Sequence, residues 1–141
     1  MLDESPEKAV LIDRLSRREG LTPFRANSRM EEKDAPLEER VQPPVEQWLR
    51  GFRDARMVVT DSFHACVFSI LFHKPFVVVG NRRRGLARME SLLVMFGLED
   101  RLCFEDSLCS DLKGIDWDRV DEKLEVWRGK SWRVLDVLNI G

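Results

Sequence analysis

The 141-residue sequence has no run of about 18 apolar residues, and its opening MLDESPEKAV carries no basic stretch leading into an apolar one. It therefore predicts neither a membrane-spanning helix nor a signal peptide, and by default a cytoplasmic protein. No charge sign dominates: 23 basic residues face 25 acidic ones, for a net charge of -2. That balance argues against general affinity for nucleic acid or anionic membrane, so any anion site must be local. Cysteine is scarce. Cys66, Cys103 and Cys109 are odd in number and form no CxxC pair or Cys/His cluster with metal spacing. They read as reduced thiols acting as small hydrophobes. There is no internal repeat and no low-complexity tract.

What the sequence does contain is enough apolar side chain for a core. At 43% apolar and 34% charged it is too hydrophobic for a disordered chain. A single domain of this length buries roughly two thirds of its unfolded surface.

The order of elements follows from periodicity and capping. Ser5-Pro6-Glu7 starts a helix over 6–19, with Ser5 as N-cap, Val10, Leu11 and Leu15 as its apolar stripe, and Gly20 as its stop. Residues 21–26 read as a possible strand and 28–41 as a charged, flexible loop. Pro43-Pro44 opens a second helix to about 55, whose Val45, Trp48, Leu49 and Phe52 recur at three- and four-residue spacing and are expected to lie on a sheet.

Residues 57–60 form a short β-branched run, 63–72 an almost wholly apolar helix, 76–79 a second buried strand, and 87–96 a helix closed by Gly97. Cys103 falls in a further strand. Asp116 caps a last helix carrying Trp117, Val120, Leu124 and Trp127, with Val134, Leu135 and Leu138 continuing the stripe beyond Gly129; its tryptophans read as packing residues. Strands alternating with helices predict an α/β fold, a Rossmann-like parallel sheet with helices on both faces. A parallel unit usually opens on a strand, and only Met1 and Leu2 precede the first turn. The expectation is therefore one Rossmann-like domain over 1–141, with an N-terminal domain missing.

Ligands of open α/β sheets bind beyond the carboxyl ends of the strands. The first strand delivers Thr60, Asp61, Ser62 and His64 to that edge, and the second delivers Asn81, Arg82, Arg83 and Arg84, with Arg88 following. The helix N-terminus near Ser62 offers free N–H donors to a phosphate or carboxylate. Asp61 would repel an anion unless it caps the helix or pairs with an arginine, and capping is the reading taken. His64 is either a proton donor to a leaving group or an imidazole satisfied by a backbone carbonyl. His73, beside Lys74-Pro75, reads as structural or solvated. The arginines either grip an anion in bidentate fashion or form a solvated turn paired with Glu90, Glu99 and Asp100; their place at the sheet edge favours the anion site.

The segment TDSFHACVFSILFHKPFVVVGNRRRGLARMESLLVMFGLEDRL, with PPVEQWLRGFRDARMVV before it, resembles the C-terminal part of polysaccharide pyruvyl transferases. The resemblance runs from about residue 2 to the final helix and is most specific over 60–88. It implies one half of an architecture similar to the GT-B glycosyltransferases, and no metal or organic cofactor. It also implies transfer of the pyruvyl group of phosphoenolpyruvate to sugar hydroxyls, as a ketal on a cell-surface polysaccharide or its lipid-linked precursor. His64 matches the family histidine proposed as general acid, and Asn81 and the arginines after it would hold the donor's two anionic groups, with Thr60 and Ser62 lining the pocket. Ser62 stands where some branches have an arginine, and Ala65 where glycine usually follows the histidine. With half of the cleft absent, the chain alone is expected to turn over little. Two other readings remain at this stage: the nucleotide-sugar-binding half of a GT-B glycosyltransferase, and a non-catalytic interaction domain.

Overall fold

The computed structural model describes residues 5–26, 34, 36–41, 43–80, 85–104 and 112–137. Helix α1 spans Pro6–Glu19. Its start is fixed by the Ser5 hydroxyl, which accepts from the Lys8 backbone N–H at 3.2 Å, and by Pro6, whose missing N–H costs nothing in a first turn. Gly20 ends it in the left-handed region, at φ 62° and ψ 37°, where a side chain would be strained. Residues 21–26 have no regular structure. Phe24, the large apolar residue of that stretch, is exposed. A one-turn helix, α2 (Leu37–Arg40), lies within the stretch read as charged loop.

Helix α3 (Val45–Asp54) follows Pro44. Trp48 and Phe52 meet edge-on, with ring centroids 4.6 Å apart, and Trp48 meets Phe68 of α4 (Phe63–Leu71) at 5.1 Å. The aromatic face expected on the sheet thus makes its ring contacts with a neighbouring helix.

Three parallel strands, β1 (Val58–Thr60), β2 (Phe76–Gly80) and β3 (Leu102–Phe104), pair in the order β1-β2-β3. Val59 lies opposite Val77, and Val79 opposite Cys103. All five residues of β2 are buried, as a central strand covered on both faces requires. The strand's two-residue alternation divides the core. Phe76 and Val78 pack with Cys66 and Ile70 of α4, with Leu93 and Phe96 of α5 (Ala87–Phe96), and with Val120 of α6 (Trp117–Val137). Val77 turns to the other face, against Leu15 of α1 and Cys103. Helices therefore cover both faces. Burial of a Phe, Val or Leu side chain contributes about 1.5–3 kcal/mol each, so β2 is the stabilising axis of the fold.

Gly97 closes α5 with φ 69°. A 3-10 turn (Glu99–Arg101) leads into β3, and the Asp116 carboxylate accepts from the Arg119 N–H at 3.1 Å to cap α6. That helix runs unbroken through Gly129. Its tryptophans divide: Trp117 is half-buried against the core, whereas Trp127 lies exposed under the Lys130 ammonium, 4.2 Å from the ring centroid.

Gly80, the last residue of β2, has no room for a methyl group. A Cβ there would lie 2.9 Å from the Phe104 ring and 3.1 Å from Leu102 Cδ1. Gly80→Ala should destabilise the chain by about 1–3 kcal/mol through overpacking between β2 and β3, read as a lower urea midpoint with an unchanged m-value.

The three cysteines do not share one account as reduced thiols. Cys103 is disulfide-bonded, which corrects that reading for β3, while Cys109 lies outside the described residues. Cys66 is free and wholly buried, and burial pushes its thiol up to about 12. At pH 8 its thiolate fraction is then about 1 in 10⁴. Cys66 should therefore resist iodoacetamide in the native chain and react once denatured, as intact-mass measurement would record.

Candidate functional site

The first half of the expected site is built by the turn from β1 into α4. Thr60 is buried, and its hydroxyl accepts from the Ser62 backbone N–H at 3.0 Å, which bends the chain sharply out of the sheet. Ser62 is the N-cap of α4, in extended conformation at φ -97° and ψ 129°; its carbonyl accepts from Cys66 N–H at 3.0 Å, and its hydroxyl makes no capping bond. The first N–H groups of a helix lack partners within the helix, and no side chain caps them here. His64 occupies the second position of α4 and is exposed. Among the described residues its imidazole has an aromatic neighbour, Phe63, edge-on at 5.8 Å between centroids.

The Phe63 ring also receives Arg88. The guanidinium carbon of this α5 residue lies 5.6 Å from the ring centroid, within the range of an attractive cation–π contact. One aromatic ring is thus the shared neighbour of His64 and Arg88, which are 24 residues apart by their numbers and come from different helices. Asn81, Arg82, Arg83 and Arg84, which directly follow Gly80 in the sequence, lie outside the described residues.

Asp61 is not the helix cap. Its Oδ2 lies 2.7 Å from the Lys8 ammonium, with the two side chains only 8% and 2% exposed. Lys8 is the residue that sequence reasoning missed. It belongs to the first turn of α1, 53 residues before Asp61. A signal was available: Lys8, Leu11 and Leu15 stand at i, i+3 and i+7, so the lysine occupies the apolar stripe of α1. A cation there must be buried, and buried cations require a partner.

His73 is structural, as expected. At φ 51° it turns the chain after α4, its Nε2 lies 2.8 Å from Asp121 Oδ1, and its ring stacks on Trp117 at 5.0 Å. It lies at the far end of α4 from His64.

A concavity of about 560 Å³ opens at the opposite, amino edge of the sheet, lined by Arg18, Asp54, Arg56, Lys74 and Arg101 among others. Its basic residues have a structural explanation, because α1, α3 and α4 all end there. Helix carboxyl ends carry partial negative charge that cations offset. The Arg101 guanidinium is buried, bonded to Asp100 at 2.7 and 3.2 Å and to the Lys113 carbonyl.

Among the described residues, no group of three His, Cys, Asp or Glu side chains is arranged to hold a metal ion, and no helix is long and apolar enough to cross a membrane.

A three-stranded parallel sheet with helices on both faces makes this an α/β domain, with a helix N-terminus and an exposed histidine at the sheet's carboxyl edge. The family model described as Polysaccharide pyruvyl transferase matches residues 10–83, more than half of the 141 residues, and the chain belongs to that family. The match enters within α1, crosses α3, β1, α4 and β2, and ends among the arginines after Gly80. Arg84 and Arg88 lie beyond it. Comparison with curated proteins and with solved structures finds no match.

Proposed function

We propose that this chain is the donor-binding half of a polysaccharide pyruvyl transferase, acting in the cytoplasm, and that it binds phosphoenolpyruvate at the carboxyl edge of the sheet. The observation that carries the reading is His64, exposed on the first turn of α4 with Arg88 over the adjacent Phe63 ring. A second Rossmann-like domain would supply the acceptor side of a GT-B-like cleft.

In this reading the α4 N–H groups, Asn81, Arg82, Arg83, Arg84 and Arg88 hold the phosphate and carboxylate, which suit helix N-termini and guanidinium forks, while Ser62 lines the pocket and buried Thr60 shapes its turn. Asp61 borders the same pocket with its charge answered by Lys8. His64 delivers a proton to C3 of the enol as a first sugar hydroxyl bonds to C2. The C2–O bond to phosphate breaks as a second hydroxyl adds, so that the products are a pyruvate ketal and inorganic phosphate. Of the two hydroxyl protons, one restores the proton taken from His64 and the other leaves with phosphate. Placement and electrostatic stabilisation by preset donors supply the rest of the rate.

Calorimetric titration of phosphoenolpyruvate into the chain at low salt tests the donor assignment. Binding that weakens by about ten- to a hundredfold in Arg88→Ala supports it, since a lost charge-assisted contact is worth about 1.5–3 kcal/mol. Binding of a nucleotide sugar in place of phosphoenolpyruvate would point to a glycosyltransferase half instead. Binding of neither would leave the non-catalytic reading.

A further inference from the structure

Lys8 is an improbable residue for its position. It lies in the first turn of α1, where the helix dipole disfavours a cation, and it is 2% exposed, so its ammonium has lost nearly all its hydration. It pairs with the Asp61 carboxylate at 2.7 Å. Asp61 stands between Thr60, the last residue of β1, and Ser62, the N-cap of α4. An unpaired carboxylate there would lie against the one helix N-terminus that an anionic donor is to occupy, where it would repel that donor.

We infer that Lys8 is a positioning residue of the donor site: by pairing with Asp61 it neutralises the carboxylate at the mouth of α4 and so keeps this edge of the sheet receptive to an anion. The inference rests on the anion-binding reading given above and adds to it a residue two elements removed from the site. It differs from a purely structural ion pair in the sign of its effects. A structural pair loses stability whichever partner is replaced and prescribes no order of anion affinities. A shielding pair prescribes one. Removing the lysine charge weakens binding, removing the carboxylate charge does not, and removing both restores it.

The test compares the chain with Lys8→Gln, Asp61→Asn and the double variant Lys8→Gln/Asp61→Asn. The glutamine amide still donates to the carboxylate, and the double variant keeps a hydrogen-bonded neutral pair. Near-UV circular dichroism at low temperature confirms folding, and calorimetry follows phosphoenolpyruvate and, separately, inorganic phosphate. The expected series is Kd raised about tenfold in Lys8→Gln, equal or lower in Asp61→Asn, and within about threefold of the parent in the double variant, with the loss shrinking as salt is added. Unchanged binding in Lys8→Gln, or weakened binding in Asp61→Asn, overturns the inference while leaving the donor assignment intact. If the parent ignores phosphoenolpyruvate but phosphate follows the series, the donor assignment falls and the shielding role stands. If the parent binds neither anion, both fall. Should Lys8→Gln fail to fold, Asp61→Asn and the double variant decide: weaker binding in either overturns the inference.

Discussion

Replacing His64 with alanine is expected to lower kcat for pyruvyl transfer by about 10²–10⁴-fold in the two-domain enzyme proposed above, the usual loss when a positioned general acid is removed. Stability should stay within about 0.5 kcal/mol of the parent, as for exposed substitutions away from caps and ion pairs. The two halves of this expectation come from one fact. His64 is exposed on the first turn of α4 and makes no hydrogen bond among the described residues, so the fold has little use for its imidazole, while a ligand at the helix N-terminus would face it. Steady-state kinetics beside urea unfolding separates the outcomes. A fall in kcat below tenfold means that another group protonates the enol carbon. A fall in stability above about 2 kcal/mol would mean that the ring is a packing element.

How much of this was legible in the sequence depended on how far apart the interacting residues were. Helix α1 was readable to its ends because Ser5, Pro6 and Gly20 act within a turn of their own positions. The same holds for α5 and Gly97, and for Asp116 at the start of α6. β2 was readable because an unbroken apolar run has few other places in a parallel sheet. The possible strand at 21–26 was not upheld. Strand propensity without a pairing partner does not make a strand, and Phe24 stays exposed.

At the site, the turn Thr60-Asp61-Ser62, His64 and Arg88 could all be placed near one edge by topology alone. The contact of Arg88 with Phe63 could not, since it depends on how α5 lies against α4. The role of Asp61 was misjudged for a related reason. Capping is a local explanation, and the partner that actually takes the carboxylate comes from α1, on the far side of α2 and α3 in the chain. Trp127 gave the same difficulty in reverse. Its spacing continued the stripe of α6, but the part of the helix that bears it is exposed.

The ion pair that escaped the sequence reading should also give the largest change in stability. Lys8→Ala is expected to cost about 3–5 kcal/mol, because it takes the ammonium away from the Asp61 carboxylate, which is only 8% exposed. Asp61→Ala should cost a similar amount by taking this carboxylate away from the buried ammonium. Domains of this kind hold only about 5–15 kcal/mol in total, so either change consumes a large share of the margin. The pair is nonetheless not expected to be a net source of stability, since the desolvation of both ions offsets most of their attraction. Lys8→Met/Asp61→Leu, which fills the same space with apolar groups, should therefore fold with a urea midpoint close to the parent's or above it. With Lys8→Met and Asp61→Leu also made singly, the set closes a double-mutant cycle whose coupling reports the interaction energy of the pair. Single losses below about 1 kcal/mol would place the pair in water and remove the reason for regarding Lys8 as anything but a surface residue. The expected pattern, severe singles and a tolerated apolar double, would show that α1 does not need this charge pair to dock on the sheet.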